Sequence, residues 1–238
     1  MVIQITRSGQ IIVRCKGESL LPDLSIVDYN NTKSSPKSIT ASTGLDALTH
    51  AVEAYTSKQA QPLTDALALS AVKRIFKYLP IAYTDVDNET ARYEMSIAAL
   101  EAGICINNSS VTIVHGMSRP IGALFHVPHG LSNAMLLCKC MDFAKDGAIE
   151  QFAKLSRAVG ASSEADSDEK AADKFIAGLY EICQKCEVPT ISEYGIDINK
   201  FLDLIPKMTS DALASGSPSN TRKNVDAENI EAIYKSLI

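Results

Sequence analysis

Pro36-Lys37-Ser38-Ile39-Thr40-Ala41-Ser42-Thr43-Gly44-Leu45-Asp46-Ala47-Leu48-Thr49-His50-Ala51-Val52-Glu53-Ala54-Tyr55 reads as one helix opened by a first-turn proline. Ala47, Leu48, Ala51, Val52 and Ala54 make it apolar almost all round, the pattern of a helix buried on most sides. Asp46 and His50 lie four apart, which stacks a carboxylate and an imidazole on one face where both can reach one cation. Taken alone, an i,i+4 Asp–His pair is more often a surface or capping contact. In a helix this apolar, the pair's charge must be compensated from outside the helix.

Outward from this helix the same periodicity dominates. Pro62 opens a second helix expected to run to about Tyr78 and to stop before Pro80. Asn88 caps a third, from Glu89 to about Asn107. Pro128 opens another over Leu131–Ala144, and a further one over Gly147–Val159 ends at the C-capping Gly160. The small, polar stretch Ala161–Asp168 is a loop or the gap between two helical subdomains, and helices recur at about 168–186, 198–214 and 226–237. In front of Pro36 the signals change. Val2–Thr6 and Ile11–Arg14 flank Arg7-Ser8-Gly9-Gln10 as a hairpin, and Leu24–Val27 reads as a short strand. The expected organisation is a β segment over 1–30 and a helical, metal-binding domain over 31–238, with a subdivision near 161–168.

Composition narrows the function classes. The 238 residues are 46% hydrophobic and 21% charged, ordinary for a globular protein and unlike a disordered one. A net charge of −5 and a pI near 5.4 give no basic surface for nucleic acid. No apolar run approaches the ~20 residues of a membrane helix, and the N-terminus lacks the apolar segment of a secretory leader, so a cytoplasmic protein is expected. Six cysteines without ribbon spacing read as structural or incidental thiols, Cys183-Gln184-Lys185-Cys186 included. Nucleophile elbows, P-loops and Gly-x-Gly-x-x-Gly turns are absent from the sequence.

All four histidines fall in two places, His50 and the segment Val114-His115-Gly116-Met117-Ser118-Arg119-Pro120-Ile121-Gly122-Ala123-Leu124-Phe125-His126-Val127-Pro128-His129-Gly130. Any one of them by default fills a satisfied core or surface role. Together with Asp46 they make a ligand set suited to Fe(II) or Zn(II), of three histidines or of two with a spectator. Gly116 and Gly130 follow two of them and leave room for a ligand, while Pro128 fixes the backbone entering His129.

These windows carry a resemblance. Pro22–Asp28 with Pro36–Tyr55 is similar to the first signature of the iron-containing (group III) alcohol dehydrogenases, and His115–Pro120 through Pro128–Ala134 to the second. Ala214-Ser215-Gly216-Ser217-Pro218 and Ile230-Glu231-Ala232-Ile233-Tyr234 resemble that family's C-terminus. The resemblance implies a mainly α fold, the helical C-terminal domain of the dehydroquinate synthase-like superfamily. It implies Asp46, His50, His115 and His129 as metal ligands, the last two at the family's spacing of fourteen residues. The metal, Fe(II) or alternatively Zn(II), would polarise the oxygen of a small alcohol or aldehyde while hydride passes to or from NAD(P). Many members carry a second histidine where this chain has Arg119, so no proton-relay role is carried over to that position. Arg119 and His126 are expected to line the pocket. Family members hold the dinucleotide in an N-terminal Rossmann-like half, and nothing here matches it. The expectation is therefore a metal-binding domain that can form a homodimer, weak or inactive as a dehydrogenase unless a nucleotide domain is supplied. Alternatives are a glycerol dehydrogenase-like or lactaldehyde reductase-like member, or a non-catalytic metal-binding or oligomerisation fragment.

Overall fold

A computed structural model describes the backbone of residues 2–5 and 12–15 and the whole of residues 23–238. Val2–Ile5 (β1) lies antiparallel to Ile12–Cys15 (β2), with Val2 opposite Cys15 and Ile5 opposite Ile12. The turn expected at Arg7–Gln10 lies outside the described residues. The strand expected at Leu24–Val27 does not form. No described strand runs beside it to supply ladder hydrogen bonds, and Leu24 and Ile26 stand 77% and 82% exposed.

The remainder is helical: α1 (Lys37–Thr56), α2 (Pro62–Thr84), α3 (Glu89–Ser109), α4 (Ile113–Phe125), α5 (His129–Lys145), α6 (Ile149–Ala158), α7 (Asp168–Lys185), α8 (Ile198–Ala214) and α9 (Ala227–Lys235). Local chemistry sets most of the starts. Gln61, Asn88, Ser167 and Asp197 each accept a first-turn backbone N–H, and Asp226 with Asn229 forms a capping box. Helix α1 is the centre. It packs against α2, α3 and α5, and Leu45, Leu48, Ala51 and Val52 are fully buried. That environment explains why its sequence is apolar on nearly every face.

Helices α2 and α4 run through an interior proline, α2 against the sequence reading and α4 where none was made, and the cause is the same. Helix α2 does not stop before Pro80 but continues to Thr84, and α4 runs through Pro120. A proline inside a helix removes one N–H bond and crowds the carbonyl four residues back. Here the residues beyond it are core residues, Ala82 and Tyr83 in α2 and Ile121 in α4, and their burial outweighs the local cost. Around the loop at 161–168, α6 packs on α7 and the Phe152 and Phe175 rings lie 6.0 Å apart. One continuous apolar core extends from Ala41 to Tyr234. The five described cysteines are buried and free, and burial holds Cys105 up at about 12 and Cys186 at about 11, so both stay thiols. Among the described residues no single helix is long and apolar enough to cross a membrane.

Candidate metal centre

Three helices bring the sequence-predicted ligands together. Asp46 and His50 come from the middle of α1, His115 from the first turn of α4, and His129 is the first residue of α5. One ligand atom from each falls within 4.8 Å of all the others. Asp46 Oδ1 is the hub: it lies 3.6 Å from His50 Nε2, 3.6 Å from His115 Nε2 and 3.8 Å from His129 Nε2. The His50 and His115 rings stack at 4.7 Å, and His129 tilts in with its centroid 5.3 Å from that of His115.

Close approach of backbone makes this convergence feasible. A Cβ on Gly130 would sit 2.5 Å from the Ser42 carbonyl oxygen and 3.3 Å from Asp46 Cβ, so only glycine lets the start of α5 reach α1 at this level. Gly116, next to His115, meets the Pro218 ring in the same way.

Glu53 completes the floor of the site. It lies one further turn along the Asp46–His50 face of α1 and is fully buried. Its Oε2 is 2.5 Å from His115 Nδ1, while its Oε1 accepts the Thr112 hydroxyl at 2.8 Å and the Val114 N–H at 2.7 Å. Asn133, one turn after His129, donates Nδ2 to Asp46 Oδ1 at 2.6 Å and lies 3.1 Å from His115 Nε2.

The electrostatics follow from burial set against these partners. For Asp46, burial works against the charge, but the three histidines, led by His50, hold its carboxyl below the ordinary range. Burial lowers His50 to about 4, against the pull of Asp46, and lowers His129 as well, with His115 and Arg119 pushing the same way. His115 goes the other way: burial opposes its imidazolium, yet the Glu53 charge and bonds to Asp46 and Glu53 hold it up at about 9. Glu53 is correspondingly held down, its burial outweighed by His115. An ionised carboxylate beside neutral His50 and His129 is the protonation state that ligation needs, and only His115 must give up a proton.

The donor set fits a divalent cation. Bonds of about 2.1 Å in a tetrahedron place ligand atoms about 3.4 Å apart, close to the separations around Asp46 Oδ1. His50 Nε2 is buried in the cluster with no hydrogen-bond partner, and so is Asn133 Oδ1. Buried polar atoms are rarely left so, and a cation held at the centre would satisfy the imidazole nitrogen.

Arg119 and His126 stand apart from the cluster. Arg119, in α4, donates to Ser217 Oγ at 2.9 Å and lies near enough to His129 to lower its proton affinity. His126 is the C-cap of α4, exposed and in the left-handed region at φ 57°. Sequence reasoning missed Glu53 and Asn133. Their spacing puts them beside the cluster, Glu53 i+3 from His50 and Asn133 i+4 from His129, but names no partner for Glu53.

Comparison with known proteins agrees with this architecture. Residues 40–238 match the C-terminal part of the Fe-containing alcohol dehydrogenase family. The chain is 37% identical over 217 residues to the 1,3-propanediol dehydrogenase of Klebsiella pneumoniae, covering 90% of this chain and 55% of that protein. It is 34% identical to the NADPH-dependent butanol dehydrogenase of Clostridium saccharobutylicum, covering 91% and 56%. Superposition on the crystal structure of a 1,3-propanediol oxidoreductase gives a TM-score of 0.84 at 33% identity, over 89% of this chain and 55% of the other. The chain thus spans about half the length of the curated relatives it matches. With a helical fold shared at this level and a family match running from the first turn of α1 to Ile238, the chain belongs to the Fe-containing alcohol dehydrogenase family, in its C-terminal part.

Proposed function

We propose that this chain supplies the metal-binding half of an NAD(P)-dependent dehydrogenase that interconverts small alcohols and aldehydes, with Asp46, His50, His115 and His129 holding one Fe(II), or alternatively Zn(II). The observation that carries the reading is the meeting of these four ligand atoms, from three helices, around an otherwise unpartnered His50 Nε2. A bound divalent cation supplies Lewis-acid polarisation of the substrate oxygen. The chain's own residues do the rest. Asp46 contributes the anionic charge, His50 and His129 present neutral nitrogens, and Asn133 braces Asp46 through its amide. In this reading Arg119 and His126 line the substrate pocket; Arg119 is tied to Ser217 and acts on His129 by its charge.

As the resemblance implies, the dinucleotide belongs to a separate Rossmann-like domain, over the helical domain of residues 31–238. Residues 1–238 alone bind metal but turn over alcohols weakly or not at all. The test is to assay this polypeptide and a longer one that adds a family nucleotide domain, each loaded anaerobically with Fe(II), against primary alcohols with NAD and NADP. Alcohol-dependent NAD(P)H formation is expected only with the longer chain, and to be lost in its Asp46→Ala variant. Equal turnover with and without the added domain would overturn the division of labour; turnover that survives Asp46→Ala would overturn the metal's role.

A further inference from the structure

Glu53 has both carboxylate oxygens engaged, each in a different task. Oε1 gathers the Thr112 hydroxyl and the Val114 N–H, with the His115 N–H at 3.4 Å. Thr112 is the N-cap residue of α4 but makes no capping bond with its own side chain. Glu53, reaching across from α1, accepts the first-turn N–H that such a cap normally takes. Oε2 faces His115 Nδ1 at 2.5 Å. An ionised carboxylate can only accept, so Nδ1 must carry the hydrogen. With Nδ1 held by Glu53, Nε2, the nitrogen 3.6 Å from Asp46 Oδ1, is the one that gives up its hydrogen when the cationic ring becomes a ligand.

We propose that Glu53 is a positioning residue of the metal centre: one carboxylate fixes where α4 begins and which nitrogen of His115 faces the cation. The inference rests on the metal-centre reading above and adds to it a residue that touches neither cation nor substrate. Outer partners of this kind set ligand orientation and tautomer.

The discriminating variant is Glu53→Gln, which keeps size and shape. The Val114 N–H can only donate, so the new amide must turn its oxygen to that side and its NH2 to His115 Nδ1. The helix start is preserved, but Nδ1 must now accept and Nε2 must carry the hydrogen, aimed into the site. E53Q is therefore expected to melt cooperatively as the metal-free chain while its Kd for Zn(II), measured by chelator competition, weakens about 10–100-fold. In Zn(II)-loaded wild-type chain, 15N NMR is expected to show a directly bonded proton on His115 Nδ1, shifted downfield by its short hydrogen bond. A folded E53Q with wild-type Zn(II) affinity overturns the proposal. An unprotonated Nδ1 in the loaded wild type overturns it whether or not E53Q folds. If wild type takes up no metal, the metal-centre reading fails and this inference falls with it; if wild type binds metal and E53Q binds equally well, the positioning role alone fails.

Discussion

Burial separates the clustered groups as sharply as chemistry does. The His115 side chain keeps 4% of its exposure and Glu53 none, whereas His129 retains 26%. Removing His115 strands the Glu53 carboxylate without its cationic partner, and breaking a buried pair this way costs about 3–5 kcal/mol. Removing His129 leaves no such charge and costs about 1 kcal/mol, typical of an ordinary substitution. His115→Ala and His129→Ala each remove one proposed ligand, yet urea unfolding of the metal-free chains is expected to place His115→Ala well below His129→Ala. Equal stabilities would mean that Glu53 and His115 do not act as a buried pair. At this scale the four clustered residues were legible because histidine is scarce and confined to two segments. Glu53 was not, because a single glutamate on an apolar helix has no visible partner until α4 is known to start against it.

The elements carry the site through close contact. Gly130 lets the start of α5 approach the Ser42 carbonyl, and Gly130→Ala would place a methyl 2.5 Å from that oxygen. Backbone cannot yield as a flexible side chain does, so α5 must shift, at about 1–3 kcal/mol for overpacking. His129 is its immediate neighbour, so the variant is expected to show a lower denaturation midpoint and weaker Zn(II) binding together. Loss of neither would show that this contact does not set the position of His129. Among the described helices, four of the nine starts were signalled, by Pro36, Pro62, Asn88 and Pro128, although Pro36 and Pro128 stand at the N-cap and not in the first turn. Helix α4 was not, because Gly116, Pro120 and Gly122 speak against a helix locally. Tertiary contacts override them: Val114, Met117 and Ile121 are buried, Glu53 caps the first turn, and the buried Tyr234 hydroxyl donates to the Met117 carbonyl at 2.7 Å. None of those partners is near α4 in sequence. Pro80 was misread for the same reason, since a local helix-breaking rule does not register that Ala82 and Tyr83 belong to the core.

Across the whole molecule, one apolar core with α1 at its centre holds the starts of α4 and α5 against the Asp46–His50 face. The proposed ligands are thus fixed on helices rather than on loops, with neutral His50 and His129 beside ionised Asp46. The mainly helical class was legible from periodicity alone, whereas the isolated segment at Leu24–Val27 was misread because apolar alternation does not reveal whether a partner strand exists. The most direct measurement is the metal content of the purified, Fe(II)- or Zn(II)-reconstituted chain by elemental analysis, wild type beside Asp46→Ala. One equivalent of metal per chain in the wild type, falling to trace in a folded Asp46→Ala, is the predicted result. No stoichiometric metal in the wild type, or the same content in both, would contradict the account.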